Sequence, residues 1–491
     1  MERLTGQATT SPRHIHLIGI CGTAMASLAG LLQLQGHRIT GSDKAAYPPM
    51  SDLLRSLNIP ILEPYSESNL IPHPDLVVIG NALSRGNPEI EYVLDQRVPF
   101  ASMAALLREE FLCKPAPRRR DSLVVAGTHG KTTTTSMLAW IYQCASTADP
   151  ALEPSFLIGG VAENFNTSYQ LRPTRTFIVE GDEYDTAFFD KGPKFMHYFP
   201  DALILTSVEF DHADIYADLA AVKAAFKRLV NLVPRRGLIV ACDANSNVTE
   251  CLQPALCRVD RYGLSPSANW RIANLRREAG LTRWDLDHNN TLWASIELPL
   301  AGEHNALNAT AAAALAFGQG IPKPAILTAL ASFKSVKRRL EVRAVIGGVT
   351  LIDDFAHHPT AIRETLRALR SVYPSSRLWA ILEPRSNTLR RKVLEADLVA
   401  SLRLADRVVL AGVYQQQRIP DAERLHPEDV VNAINATEPV KAELHPDADS
   451  IVGAISPQLV PGDVVAILSN GGFDGIYDKL PAALNARYDR P

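Results

Sequence analysis

The chain has 491 residues, of which 50 are Lys or Arg and 53 Asp or Glu, for a formal net charge of −3 and a 46% hydrophobic content. That length predicts about three domains, and the near balance of charge excludes a global field for nucleic acid or an anionic membrane, so neither is expected as a partner. No apolar run reaches the roughly 18 residues of a membrane span, and the polar start MERLTGQATTSPRH lacks the apolar core of a secretion signal, so a cytoplasmic protein is expected.

Six cysteines (Cys21, Cys113, Cys144, Cys242, Cys251, Cys257) are scattered with no C-x-x-C pair, which predicts reduced, mostly buried thiols rather than a zinc knuckle or disulfide framework.

The first segment reads as a strand from His14 to Ile18, a Gly19-Ile20-Cys21-Gly22 turn, an apolar helix through Leu34, a second strand ending near Ser42-Asp43 and a buried strand from Leu76 to Ile79. This order indicates a doubly wound, Rossmann-like α/β unit over residues 1–117. A dinucleotide fingerprint fails, because Cys21 and Ala24 stand at its second and third glycine places, although Asp43 lies near the distance of a ribose-binding acid. The turn then holds another diphosphate or is purely structural. The tract Lys114-Pro115-Ala116-Pro117-Arg118 reads as a linker, and Arg118-Arg119-Arg120 as its solvated charge run.

The second unit, residues 118–336, opens with LVVAGTHGKTTTT: an apolar strand, a turn with Gly127 and Gly130, then Lys131 and Thr132 starting a helix. A phosphate chain needs backbone N–H groups with no side chain in the way, a helix N-terminus, a lysine and a hydroxyl for Mg²⁺, and this run supplies all of them. Val125 stands where the usual first P-loop glycine would be, so the loop is shorter than standard. Strands from Thr176 to Glu180 and Ala202 to Thr206 end in polar residues, which places Glu180 and the stretch Glu209 to His212 at carboxyl strand ends, where ligands bind.

Glu180, with Asp182, Glu183 and Asp185 close by, suits a hard cation beside a triphosphate, against an exposed acidic loop. His212 is either a structural histidine or a metal ligand. An alanine-rich helix from Asn305 to Phe317 is expected to close this unit.

The third unit, residues 337–491, again Rossmann-like, has strands Val349 to Asp353, Leu378 to Leu382, Arg407 to Leu410 and Val464 to Leu468, with a helix from Pro359 to Arg370. Arg338-Arg339 at its start offers either an arginine for the γ-phosphate or a hinge with solvated charge. In DDFAHHP two adjacent histidines rarely converge on one zinc ion, so nucleotide and substrate contacts are expected there. Three serial α/β domains with a central P-loop are the expected architecture.

Together GTHGKTTTT, EGDEYD, EFDHADIY, GEHNALNATAAAA, KRRLE and DDFAHHPTA resemble, in this order, the ATP-dependent Mur ligases of bacterial peptidoglycan synthesis, and GICGTAM with DDFAHHP is similar to the branch that accepts UDP-N-acetylmuramic acid. The segments YPPMSDLL, IGNALSRGNP, DEYDTAFFDKGPKFMHY, LEPRSNT and SNGGFDGI are similar to the recycling member of that branch. The resemblance implies joining of L-Ala-γ-D-Glu-meso-diaminopimelate, the murein tripeptide, to UDP-N-acetylmuramic acid at the expense of ATP. Addition of free L-alanine is the alternative.

The resemblance further implies ATP contacts from Gly127, Thr128, His129, Gly130, Lys131, Thr132 and Thr133, with Lys131 on the β- and γ-phosphates, Asn305 and Asn308 near the adenine, Arg339 on the phosphates and Asp354 on the ribose. Thr132, Glu180 and His212 would hold Mg²⁺, and Lys131, Arg339 and His357 would serve catalysis. Gly19, Cys21, Gly22, Thr23, Ser42, Asp43 and Asn81 would hold the UDP sugar, and Arg385, Ser386, Asn387 and Asn470 the peptide. Some relatives carry a carbamoylated lysine after this DH motif. Here Phe226 takes that place, with Lys223 and Lys227 only neighbours, so no modified lysine is expected. Gly181 replaces a common alanine.

Overall fold

A computed structural model of the chain describes residues 11–46, 50–114, 119–436 and 439–488. Pro115 to Arg118 of the expected linker, Tyr47 to Pro49 of YPPMSDLL and the first ten residues of the polar start lie outside them.

Three separate sheets follow one another along the chain. The first is parallel, in the spatial order Ile61–Leu62, Arg38–Ser42, His14–Ile18, Leu76–Ile79, Phe100–Ser102. The chain runs outward one way from His14–Ile18 and then the other, so a crevice opens at its carboxyl end, where the switch in strand order lies. Ile15, Leu17 and Ile18 are fully buried, as expected of a strand with helices on both faces.

The second sheet has ten strands. At its centre Asp121–Ala126 lies parallel between Ala202–Leu205 and Thr176–Gly181, so the turn after it emerges beside the ends of both neighbours. The helix Lys131–Ala145 that follows starts on Gly130 in the left-handed region, at φ +79°. Its run of four threonines is poor helix-forming sequence, since β-branching stiffens χ1 against the preceding turn. Burial compensates: Thr132 to Thr135 are all less than 10% exposed, and Thr135 Oγ1 donates back to the Lys131 carbonyl at 2.7 Å.

Two features of this unit were not expected. The alanine-rich helix Glu303–Gly318 does not close it, because a further helix, Lys323–Ala331, packs beside it in the same core. An antiparallel meander, Trp270–Glu278, Leu281–His288 and Thr291–Leu298, extends the sheet. Its inward positions alternate: Trp270, Ile272, Trp284, Leu286, Ile296 and Leu298 are buried against that helix core while their neighbours face out.

The third sheet has the order Glu341–Ile346, Val349–Asp354, Val464–Leu468, Leu378–Leu382, Arg407–Ala411, Lys441–His445, parallel except for its first strand. Two sequence expectations need correction. Arg120 is no solvated linker residue: it donates to Ser155 Oγ at 2.5 Å and the Arg172 carbonyl at 2.9 Å, lies over Phe177, and burial pulls its guanidinium down to about 10. A charge run hides such behaviour, because a long stem lets an arginine bury most of its length. Of the cysteines only Cys21, Cys242 and Cys251 are buried, while Cys113 is exposed.

Candidate functional site

The P-loop is built by glycine geometry and by a second loop behind it. Gly127 has φ +134°, and a Cβ there would lie 2.1 Å from Thr206 Oγ1 and 2.8 Å from the Ser207 nitrogen. A Cβ on Gly130 would lie 2.5 Å from Asn308 Oδ1, so neither position accepts a side chain without displacing a neighbour. Thr128 N donates to the Ser207 carbonyl at 2.9 Å, His129 N to Ser207 Oγ at 3.0 Å, and Thr206 Oγ1 to the His129 carbonyl at 2.6 Å. No side chain caps the helix that follows, and Gly130 and Thr133 at its start line a cavity, as an anion site requires.

Lys131 turns back over this loop. Its Nζ donates to the carbonyls of Gly127 (2.7 Å) and Thr128 (3.2 Å) and pairs with Glu183 Oε2 at 2.9 Å. Burial alone would lower the ammonium, but Glu183 and Asp182 outweigh it and hold it above the ordinary lysine value. Glu180 accepts from Thr132 Oγ1 at 3.0 Å and from Gly159 N at 2.8 Å. Its carboxyl is nonetheless raised by burial, the state of an acid short of positive charge.

His212 faces other carboxylates than Glu180. Its Nε2 lies 3.4 Å from Glu183 Oε1, and Asp182, Glu183 and His212 converge closely enough to share one ion. Burial lowers this imidazole, but Glu183 and Asp211 override it and raise it to about 9, so it is cationic at neutral pH. Glu183 was missed as a partner because the sequence offers four acids within six residues and no way to tell which one turns inward.

Two cavities flank this centre. One, of about 760 Å³, runs between the second and third units and is lined by His129, Gly130, Thr133, Asn305, Asn308, Arg339 and Asp354, among others. Arg339 stacks 5.2 Å from the Phe355 ring centroid, while neighbouring Arg338 is fixed by Asp353, the Ser469 and Gly471 carbonyls and Tyr477. Of that pair Arg339 is therefore the one whose guanidinium is left to a ligand. Asp354 accepts from Leu340 N, Ala356 N and Thr365 Oγ1, so it braces the segment that carries Arg339 as well as lining the cleft.

The other cavity, of about 440 Å³, takes Asn81 from the first unit, Asp182, Tyr184, Lys194, Asp211 and His212 from the second, and Phe355, His357, Ser386, Asn387 and Asn470 from the third. His357 Nδ1 lies 2.8 Å from the Phe355 carbonyl, which can only accept. Nδ1 therefore carries the proton, and Nε2 is left with its lone pair. Burial lowers the imidazole below its ordinary value and keeps it neutral.

The second and third units meet through polar clasps. Thr388 Oγ1 donates to Asp211 Oδ1 at 2.5 Å, Asn387 Nδ2 to Asp214 Oδ2 at 2.7 Å and Thr360 Oγ1 to Glu209 Oε2 at 2.7 Å. His358 Nε2 donates to the Phe210 carbonyl at 3.2 Å while its Nδ1 caps the helix Pro359–Val372 through Thr360 N. Burial and nearby His129 lower His358 to about 4. Arg385 stacks 3.9 Å from the Tyr414 ring centroid and pairs with Glu383, and Ser386 Oγ donates to the His357 carbonyl at 3.2 Å.

The first unit's turn holds Gly19 at φ +79°, with its N–H on the Ser42 carbonyl at 2.8 Å. Cys21 N donates to Asp43 Oδ2 at 2.9 Å, and Gly22 precedes the helix Thr23–Leu34 without a side-chain cap. The Ser42 hydroxyl is fully buried and donates to Glu89, so this side chain fixes the turn from behind. Phe226 packs against Phe195 in the core, and Lys223 pairs with Glu250.

Family profiles match along the chain: residues 14–111 the Mur ligase family, catalytic domain, residues 125–316 the Mur ligase middle domain, and residues 338–471 the Mur ligase, glutamate ligase domain. A relative from Escherichia coli K12, UDP-N-acetylmuramate–L-alanyl-γ-D-glutamyl-meso-2,6-diaminoheptandioate ligase, is 42% identical over 468 residues, 95% of this chain and 97% of its own. The crystal structure of a murein peptide ligase from Psychrobacter arcticus superposes with a TM-score of 0.73 at 35% identity, over 96% of this chain and 98% of that one. A UDP-N-acetylmuramate–alanine ligase from Thermotoga maritima shares the fold, with a TM-score of 0.79 at 22% identity, over 97% of this chain and 100% of its own.

Proposed function

We propose, from the premise that the chain belongs to the Mur ligase family, that it joins L-Ala-γ-D-Glu-meso-diaminopimelate to UDP-N-acetylmuramic acid with ATP, a reaction of peptidoglycan recycling. The observation that carries this reading is the cavity at which all three units meet, one wall away from the P-loop lysine. A sugar acid, an energy donor and an amine can be brought together there.

A free carboxylate cannot be displaced by an amine. Its oxygen therefore first attacks the γ-phosphorus of ATP, breaking the bond to the β-phosphate oxygen and releasing ADP. The acyl phosphate so formed is attacked at carbon by the α-amine of the tripeptide, and inorganic phosphate leaves as the amide forms. Gly127 to Thr133 cradle the phosphates, Lys131 exchanges its carbonyl partners for phosphate oxygens, and Arg339 meets the γ-phosphate from the third unit. Thr132 and Glu180 would hold magnesium, and the charge deficit at Glu180 fits a hard cation that neutralises phosphate charge when bound, whereas His212, a cation paired with Glu183, would join them only on giving up its proton.

His357 takes the proton that the attacking amine must lose. Its Nε2 lone pair, fixed by the Phe355 carbonyl, lines the cavity, and its low basicity keeps it unprotonated until the amine arrives. The clasps between the second and third units exclude water from the acyl phosphate. Asn305 serves the adenine end, Asn308 stands between Asn305 and Gly130 of the phosphate loop, the turn from Gly19 to Thr23 with Asp43 and Asn81 holds the UDP sugar, and Arg385, Ser386, Asn387 and Asn470 guide the peptide.

The test is ADP release from ATP. It should require both UDP-N-acetylmuramic acid and a peptide amine, and release indifferent to either would contradict ligation.

A further inference from the structure

The acidic loop is followed by a hairpin, Asp185–Ala187 paired with Asp190–Pro193, and the chain then turns inward at Lys194. This segment is fixed at several points. Lys194 N donates to the Tyr184 carbonyl at 3.1 Å and Phe195 N to the Asp182 carbonyl at 3.2 Å, and fully buried Phe195 packs 5.3 Å from the Phe226 ring. The Lys194 side chain is only 9% exposed, with its Nζ 2.6 Å from Asp182 Oδ2 and 5.3 Å from the Tyr184 ring centroid. It is the one lysine among the residues lining the three-unit cavity.

As a structural feature this ion pair is a poor bargain. Burying an ammonium and a carboxylate together is commonly no better than packing apolar groups of the same volume. The pair is also lopsided: Asp182 is 34% exposed against the 9% of Lys194, so the carboxylate is the more open partner, and both side chains line the cavity. Asp182 further lies close enough to Lys131 and His212 for both to hold its carboxyl below the ordinary range, after burial is outweighed chiefly by Lys194. Lys194 thus stands beside the phosphate end of the site, yet on the cavity side of the acidic loop.

The lining differs between units. To the same cavity the third unit contributes His357, with its Nε2 lone pair, and Asn470, whose Oδ1 is buried without a hydrogen-bond donor, and, among the described residues, no charged side chain. The second unit contributes Lys194 and His212 together with the carboxylates of Asp182 and Asp211, so a substrate carboxylate is expected against Lys194 and an amine at the acceptors of the third unit, which is the arrangement of a carboxyl group before it is joined to nitrogen. We propose that Lys194 receives the lactyl carboxylate of the UDP-muramoyl substrate and sets the preference for this sugar acid over the same nucleotide sugar lacking the lactyl group. This rests on the ligase reading above.

The experiment compares binding of UDP-N-acetylmuramic acid and UDP-N-acetylglucosamine to the whole protein by calorimetry, without ATP, for the wild type, Lys194→Met and Lys194→Arg. A charge-assisted contact in a shielded site predicts that the wild type favours the muramoyl nucleotide by roughly 10- to 100-fold. Lys194→Met should abolish that preference while leaving UDP-N-acetylglucosamine affinity within about twofold, and Lys194→Arg should restore part of it. Full preference retained in Lys194→Met would overturn the assignment. A wild type that shows no preference would instead overturn the ligase reading on which it rests. If Lys194→Met loses both nucleotides, Lys194→Gln is measured in its place and read by the same two outcomes.

Discussion

The chain uses one backbone device twice, and the two copies differ in what surrounds them. Both the turn at Gly19 to Gly22 and the turn at Gly127 to Gly130 follow a buried parallel strand and open onto a helix with no side-chain cap. In the first, a Cβ on Gly22 would meet nothing nearer than 3.5 Å, and the Cys21 amide is taken by Asp43. In the second, Gly127 abuts the loop at Thr206 and Ser207, Gly130 abuts Asn308 of the helix Glu303–Gly318, and a lysine folds over the top. A diphosphate can be held by amides alone. A triphosphate that must react needs a cation and a loop that does not give way.

The strongest way to break this contrast is to remove the cation. Lys131→Ala should lower turnover by 1,000-fold or more while UDP-sugar binding stays near wild type, since the turn proposed to hold the nucleotide sugar follows a strand of another sheet. It should also destabilise the second unit by about 1–3 kcal/mol, because buried Glu183 is left with His212 as its only cationic partner among the described residues. Steady-state kinetics, sugar titration and thermal melting read the three effects, and a folded variant that loses the sugar contradicts the division of labour.

Removing His357 should act on one half-reaction. In His357→Gln the amide step is expected to slow by about 100-fold or more, with acyl phosphate, trapped as a hydroxamate, still forming. Loss of the trapped product together with turnover would remove this histidine from the proton transfer.

The glycines come next. Gly127→Ala is expected to cost about 2–4 kcal/mol in stability, through a positive φ and a clash with Thr206 and Ser207. Gly22→Ala, at an ordinary φ of −66°, should cost about 1 kcal/mol or less. Equal costs, measured by denaturant unfolding, would erase the contrast.

Acid should reveal a smaller effect at the clasp between the second and third units. His358, lowered to about 4 from an ordinary 6.5, favours the folded state fully above pH 6.5, and that contribution is lost as pH falls from 6.5 towards 4. Glu209, held down near 2 against burial by His129, adds a loss that begins below pH 4.5. His358→Gln should flatten the stability profile between pH 6.5 and 4, where the wild type is expected to lose up to about 3 kcal/mol.

Much of this was legible in the sequence, because strand, glycine turn and helix are local patterns. The strands His14–Ile18, Leu76–Ile79, Leu378–Leu382 and Val464–Leu468 lie where their apolar runs place them. What stayed hidden depends on distant partners. The meander from Trp270 to Leu298 alternates polar and apolar residues, but its buried face is defined only by the helix Glu303–Gly318 against it. Glu183 and Lys194 look like any surface charge in the sequence, and only the hairpin between Asp185 and Pro193 turns one towards Lys131 and the other into the cavity. Arg120 looked solvated for the same reason.

The central claim is that a sugar acid is activated by ATP and then captured by the amine of a tripeptide. Its most direct test is to offer the purified protein ATP, Mg²⁺ and UDP-N-acetylmuramic acid with equal amounts of L-alanine and L-Ala-γ-D-Glu-meso-diaminopimelate, and to weigh the product by mass spectrometry. The expected result is the UDP-muramoyl tripeptide almost alone. A product carrying a single alanine, or none beyond ADP and phosphate, would contradict it.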